Sequence, residues 1–472
     1  MLSTSSSAIF TLLYSFLLEV DEQLTNLNSA LVFMFLTAFF FAFWVVISRT
    51  FYLTDEKVQN WEYCAEGALN IAARYRGQNK DLQGKVLRLR KQNNPISKMT
   101  SNNSSPIVSR TFSSDIDEED PTMTIDYEEG LQDANLFIEN IMVPLFGRKF
   151  IKPSSVVQLD CTFIRNLAKH IDPQRPSKRK EKSSLNEKAG VGLLMTDNAI
   201  IPCGCGKKDK CKSFCFEIKP KWGFLSQETK KWPVKNRIDR FTMHQQLKLR
   251  LNQNNEISEY FPLDFFNGGE NGIFHSSKRL ARTPQNNLRL FVDGFQRFPS
   301  LSKDDESLDD IFKKDLQNEL ITLFEVFKTI ASLLHKEHIV EKLVHAQTLG
   351  PLNDIESVYP YYLQMVANGE KIENLNEKLY YYPKVGTDNP KDRIEIVRRF
   401  LISCTARDCS LMVCISQCTA PNRQVLGREN GFCYDIAVVD LDAKPLNKME
   451  YYFTIDEDIA KSFTELEEHG VL

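Results

Sequence analysis

Residues 216–225 read FEIKPKWGFL, an apolar strand-like run that carries Glu217, Lys219 and Lys221 and then stops at Trp222-Gly223. Alternation of apolar and charged residues over six positions marks a strand. Pro220 fixes the backbone between the two lysines and removes a ladder donor, so the run is a strand end rather than a strand middle. A strand end that presents two cations beside one acid implies an anionic ligand or a buried ion pair. The rest of the chain decides between them.

On the N-terminal side, Gly192–Ile201 (GLLMTDNAII) predicts a strand followed by a polar break, and residues 61–92 predict a strand hairpin with a Gly-containing turn that closes on KVLRLRK. Leu136–Phe146 has helical apolar spacing and ends at a proline and Gly147. Residues 93–126 are rich in Ser, Asn, Asp and Glu with few large apolar residues, which predicts disorder. Residues 173–190, around KRKEK, predict a solvated basic loop. On the C-terminal side, residues 239–253 predict a helix on which steps of four place Arg240, His244 and Lys248 on one stripe. A polar-faced helical region follows from Asp305 to Lys384. The alternation returns in LISCTARDCSLMVCIS and GFCYDIAVVDLDAKP, which predict two strands with acids at their ends.

Composition is that of an ordinary globular protein: 472 residues, 42% hydrophobic, 26% charged, formal net charge −3. That length allows one large or two medium domains, and the charge excludes a lysine-coated nucleic-acid binder while leaving room for local clusters. Eleven cysteines are too dilute for a disulfide scaffold, which points to reduced thiols in the cytosol or nucleus. Cys203, Cys205, Cys211 and Cys215 crowd together before the opening stretch, with a spacing that matches no standard zinc site. The N-terminus stands apart. Ala30–Ile47 is almost wholly apolar, a candidate membrane span at about 29–48 whose flanking charges would leave the remainder cytosolic. Boundaries follow: 1–55, a hydrophobic anchor segment; 56–200, an N-terminal lobe with the insert 93–126; 201–472, a C-terminal lobe.

Chemistry concentrates at two aspartates and a set of cations. Asp440 ends the apolar run IAVVD, where a hard oxygen ligand suits magnesium carried in with nucleotide phosphates. Asp408 lies before LMVCIS, and one aspartate before a hairpin with a second after it is the layout of a kinase core. Lys219, Lys221, Arg240, Lys248, Arg289, Lys444 and Lys448 lie at strand ends, on one helix stripe or in short loops. A ligand with five phosphate monoesters, about −8 to −10 in charge, would call for that many.

EIKPKWGFL, RFTMHQQLK (240–248), YFPLDFFNG (260–268), TPQNNLRLF (283–291), TARDCSLMV (405–413) and VVDLDAKPLNKMEYY (438–452) resemble the motifs of the inositol-pentakisphosphate 2-kinase family. IENIMVPLFG and EGALNIAARYRG with GKVLRLRK extend the resemblance across 61–455. It implies an α+β, two-lobed kinase-like fold with an enlarged C-terminal inositide lobe. It also implies transfer of the ATP γ-phosphate to the 2-hydroxyl of inositol 1,3,4,5,6-pentakisphosphate, with Mg2+ as cofactor and a monomeric enzyme. By the same resemblance Asp408 is the catalytic base, Lys219 is a catalytic residue that reaches the phosphates, and Asp440 binds the metal. Gly67, Asn70, Arg88, Thr196, Asp197, Asn198 and Glu217 would face the nucleotide. Arg175, Lys219, Lys221, Arg240, Lys248, Asn286, Asn287, Arg289, Lys444, Lys448 and Tyr452 would hold the inositide. Plant-like members carry a zinc-binding Cys-x-x-Cys in the C-terminal lobe, whereas residues 301–400 here have no cysteine. A non-catalytic inositide scaffold and a membrane phosphoinositide kinase are the competing readings.

Overall fold

The computed structural model describes residues 51–52, 57–67, 69–94, 123–202, 211–227, 229–299, 307–315, 322–373, 375–417, 421 and 425–470. The predicted span at 29–48, Cys203, Cys205 and most of the 93–126 insert lie outside these residues. Among the described residues no helix is long and apolar enough to cross a membrane.

Among the described residues thirteen strands form two sheets. The N-terminal sheet contains β1 (Phe51–Tyr52), β2 (Trp61–Glu66), β3 (Asn70–Tyr75), β4 (Lys85–Asn93), β5 (Ser154–Gln158), β6 (Ser183–Leu185) and β7 (Val191–Thr196), in the order β1-β5-β7-β4-β3-β2 with β6 on β4. The second sheet contains β8 (Ser213–Ile218), β9 (Leu288–Val292), β10 (Phe295–Phe298), β11 (Ser410–Ser416), β12 (Gly427–Glu429) and β13 (Phe432–Val439), in the order β10-β9-β8-β11-β13-β12. All pairings are antiparallel except β1 on β5. With helices gathered around antiparallel sheets the class is α+β, as expected.

The opening stretch occupies the middle of the second sheet. All six residues of β8 are buried between β9 and β11, and Phe216 is wholly enclosed. Burial of such a ring stabilises the fold by roughly 1.5–3 kcal/mol. The last rung is Lys219 N–H to the Asn287 carbonyl at 2.9 Å, after which Pro220 ends the ladder. Gly223 then lies against the Phe266 ring, where an added Cβ would come within 2.5 Å. The helix Arg240–Arg250 starts on an Asp239 cap that accepts from Thr242 N at 2.9 Å, and it buries Phe241, Met243 and Leu247. Arg240, His244 and Lys248 are left along one side, as the spacing predicts.

Several expectations need correction. LISCTARD is the end of the helix Pro390–Asp408, not a strand. That helix is buried on nearly every side, so it lacks the polar face that gives a period of 3.6. The basic loop 173–190 contains a short helix, Ser177–Lys182, and β6. The helix expected at 136–146 begins at Met123, inside the expected disordered insert, and passes through a π turn at Ile138–Met142. KVLRLRK is a third strand beside the β2–β3 hairpin.

Candidate active site

Asp440 follows β13 with φ +62°, a left-handed conformation that costs a non-glycine residue energy and turns the carboxylate out of the sheet. Lys219 Nζ lies 3.0 Å from Asp440 Oδ2. The Ser410 hydroxyl lies 3.2 Å from both Asp440 Oδ2 and Glu217 Oε1, and Glu217 also accepts from Arg289 at 2.9 Å. Burial tends to raise the Asp440 carboxyl, but Lys219, Ser410 and Arg88 outweigh it and hold it below its ordinary value. Arg88 on β4 reaches across to Asp442 at 2.6 Å, tying the N-terminal sheet to the segment that follows β13. Asp408 ends its helix with an exposed carboxylate 3.3 Å from Lys444 Nζ.

Two concavities meet at Asp408 and Lys444. The cleft between the sheets is bordered by Gly67, Asn70, Arg88, Asn198, Asp440 and Asp442. A Cβ on Gly67 would meet nothing within 4 Å, so the chain passes over open space there. The second concavity lies between the end of β8 and two helices, lined by Lys221, Trp222, Arg240, His244, Lys248, Arg407, Tyr452 and Asp456. Burial, with repulsion from Lys219, Lys248 and Arg240, outweighs attraction to Asp408 and brings Lys221 down to about 8. Burial and the flanking cations push His244 down to about 2, so it is neutral. Burial and Arg240 also lower Lys248.

Other residues singled out in the sequence lie elsewhere. The Asp197 carboxylate is buried in an ion pair with Arg74 and accepts from Ala199 N at 3.1 Å, so it is occupied away from the cleft. Thr196 pairs with Lys85 at the end of β7 and is half-buried. Arg175 is buried on Glu66 (3.0 Å), Asp172 (3.0 Å) and the Ser183 carbonyl (2.8 Å). Asn286 is exposed, whereas Asn287 is buried and its amide has no hydrogen-bond partner among the described residues. Lys448 starts the helix Lys448–Glu468, with its ammonium 5.4 Å from the Tyr451 ring centroid. Cys215 is buried in β8 and donates to the Asn198 carbonyl, and no three metal-ligating side chains converge among the described residues.

Sequence reading missed the residue that ties the end of β8 to the Asp408 helix. Gln347 is fully buried. Its amide donates to the carbonyls of Lys221 (2.7 Å) and Ala406 (3.3 Å) and accepts from Gly223 N (2.8 Å). These bonds hold Lys221, itself at φ +62°, in register with the end of the Asp408 helix. Lys152, Asp442 and Asp456 also escaped notice. No local pattern distinguishes them from surface charges; only their partners do.

Residues 63–458 match the family model for inositol-pentakisphosphate 2-kinase. The chain belongs to this family. It is 27% identical to the inositol-pentakisphosphate 2-kinase of Arabidopsis thaliana over 86% of this chain and 94% of that one. It is 28% identical to the rice protein (Oryza sativa subsp. indica) over 89% and 96%. For the Danio rerio protein the figures are 25% over 69% and 82%. As a member of the inositol-pentakisphosphate 2-kinase family, the chain is an inositol polyphosphate kinase. The cation-lined concavity and the cleft therefore belong to one enzyme of this family, with Asp408 on the border between them.

Proposed function

We propose that the enzyme transfers the γ-phosphate of ATP to the 2-hydroxyl of inositol 1,3,4,5,6-pentakisphosphate, giving the hexakisphosphate. The observation that carries this reading is the shared border. A concavity lined by Lys221, Arg240, Lys248 and Lys444 opens at Asp408 onto a cleft that holds Asp440, Arg88 and the Gly67 turn. Two anionic substrates that bind on either side of Asp408 would place acceptor and donor face to face.

On this reading the sheet of β1–β7 and the sheet of β8–β13 are the two lobes of a kinase-like fold, divided near residue 200. The nucleotide lies between them, under Gly67 and Asn70 and beside Arg88. Asp408 accepts the proton of the attacking hydroxyl, and its exposed carboxylate and Lys444 neighbour suit that role. The hard, partly exposed oxygens of Asp440 and Asp442 fit magnesium, which keeps waters and takes the rest of its ligands from phosphates. When bound, the ion would neutralise charge developing between the phosphates. Lys219 is then freed from Asp440 for phosphate, while Lys221, Arg240 and Lys248 fix the inositide. Positioning and charge neutralisation are most of what phosphoryl transfer needs.

Arg175 and the Asp197 carboxylate have no direct contact in this scheme, because each is occupied by a buried partner. The test is direct. Purified enzyme with ATP, magnesium and inositol 1,3,4,5,6-pentakisphosphate should form the hexakisphosphate, read by anion-exchange chromatography. A pentakisphosphate that binds but is returned intact would leave a non-catalytic scaffold instead. Phosphorylation of lipid vesicles in preference to the soluble inositide would make the enzyme a phosphoinositide kinase.

A further inference from the structure

The concavity contains aromatic side chains that the reaction scheme leaves unused. The Trp222 indole contacts two guanidinium groups, with Arg240 Cζ 4.8 Å and Arg407 Cζ 4.5 Å from its ring centroid. Phe224 stacks on Trp222 with centroids 5.5 Å apart and planes within 13°. Phe224 and Phe400 also lie 5.0 and 4.9 Å from Arg407 Cζ. Three aromatic rings thus surround one buried arginine.

Arg407 itself is immobilised. It is buried and makes no ion pair among the described residues. Its Nε and Nη2 donate to the Gln347 carbonyl at 3.1 and 2.9 Å, and Nη2 also donates to Asn353 O at 2.8 Å. A guanidinium held on backbone carbonyls and rings cannot swing out to a ligand. It can fix the plane of Trp222.

Arg240 is arranged differently. Its Nε donates to Asp456 at 3.1 Å, and its terminal nitrogens have no hydrogen-bond partner among the described residues. Asp456 is in turn anchored by the buried Lys235 at 2.6 Å. The aromatic face attracts a cation and the Asp456 bond fixes its rotation. The pair of terminal N–H groups is then left for a planar, two-point grip on a phosphate. Without the ring, the long side chain would sample several rotamers, and the grip would lose its preorganisation.

We propose that Trp222 is a positioning residue of the inositide site. The Arg407–Trp222–Arg240 cluster sets Arg240 as a two-point phosphate donor, and so selects inositides that carry the phosphate Arg240 receives. This rests on the proposed function, since it deepens the reading of the same concavity.

The test uses the full chain and inositol 1,3,4,5,6-pentakisphosphate, with binding followed by calorimetry and by intrinsic fluorescence. The sequence has four tryptophans, so emission lost in Trp222→Phe assigns the signal. Trp222→Leu should weaken inositide affinity by about five- to thirtyfold, the range of a desolvated cation–ring contact. The kinetic loss should fall on KM more than on kcat. Trp222→Phe should recover most of the affinity, because a ring remains under Arg240. In an Arg240→Lys background the further effect of Trp222→Leu should shrink to about twofold or less, since the coupling runs through the planar guanidinium. An equal loss in both backgrounds would reduce Trp222 to a packing residue, and wild-type affinity in Trp222→Leu would remove it from the site. If the wild-type enzyme binds no inositol pentakisphosphate, the substrate assignment and this inference fall together. If it binds and Trp222→Leu binds as well, only the inference falls.

Discussion

Lys219 and Lys221 are two residues apart, yet their electrostatic surroundings are opposite. Burial works against the charge of each. Asp440 outweighs it at Lys219, whose ammonium is held above its ordinary value, while Lys221 is brought down to about 8. The division extends to the concavities they face. Around the cleft the cations are matched by acids: Arg88 on Asp442, Lys219 on Asp440, Lys152 on Asp435 and Arg289 on Glu217. In the second concavity Lys221 and Lys248 have no ion pair among the described residues. A cleft with its own counter-ions exchanges partners when a ligand arrives. A cavity in which Lys221 and Lys248 lack counter-ions, while Arg240 and Lys444 have theirs, is electrostatically frustrated at those two lysines until a polyanion relieves it.

The sharpest way to break this division is at its border. Asp408→Asn should lower kcat by roughly 10²–10⁴-fold, the usual worth of a positioned base. Inositide binding should persist, because no cation is removed. Retention of more than a tenth of wild-type kcat would take the base role away from Asp408.

Next in size is the contrast between a matched and an unmatched buried lysine. Lys235 lies 2.6 Å from both Asp354 and Asp456, all three buried. Lys235→Met leaves buried Asp354 without a cation and takes one of the two cations from Asp456, and should destabilise the protein by about 3–5 kcal/mol in urea unfolding. Lys221→Met removes a cation that repels its neighbours, so the free protein should lose little or gain stability. Its inositide affinity should fall instead, by about 10- to 150-fold for a lost charged hydrogen bond of roughly 1.5–3 kcal/mol. Equal destabilisation by the two substitutions would show that the cavity is not frustrated.

What the sequence made legible was local. The β8 strand could be read from alternation and Pro220, and the helix Arg240–Arg250 from its steps of four. The grouping of Arg240, Lys248 and Lys221 with Asp408 came with the family motifs, and the structure does bring those four together. What was not legible depends on long-range partners. Gln347 looks like a surface glutamine on an amphipathic helix until its bonds to Lys221, Gly223 and Ala406 are seen. The helix Pro390–Asp408 buries Arg393, Arg398, Arg399 and Arg407, and buried arginines erase the polar stripe by which helices are recognised. The family resemblance makes Arg175 an inositide ligand, and only the fold reveals Glu66 beside it.

The smallest effect expected is also the most specific to the unmatched lysines, and its sign can be worked out. Lysine is ordinarily protonated up to about 10.5, and Lys221 in the folded, ligand-free protein only to about 8. Between those values the unfolded chain holds a proton that the folded chain has released. The stability of the free enzyme should therefore rise with pH across that window. Phosphates placed beside Lys221 restore its proton, so inositide binding at pH 8–9 should take up protons. Affinity should then fall as pH climbs past about 8, by at most about tenfold per pH unit. His244, pushed down to about 2, adds no acidic limb of its own. Lys221→Arg keeps the charge at every working pH and should flatten the profile. Calorimetry in buffers of different ionisation enthalpy counts the proton directly. If the pH dependence and the proton uptake both survive Lys221→Arg, they belong to some other group, and Lys221 is not the frustrated cation of this site.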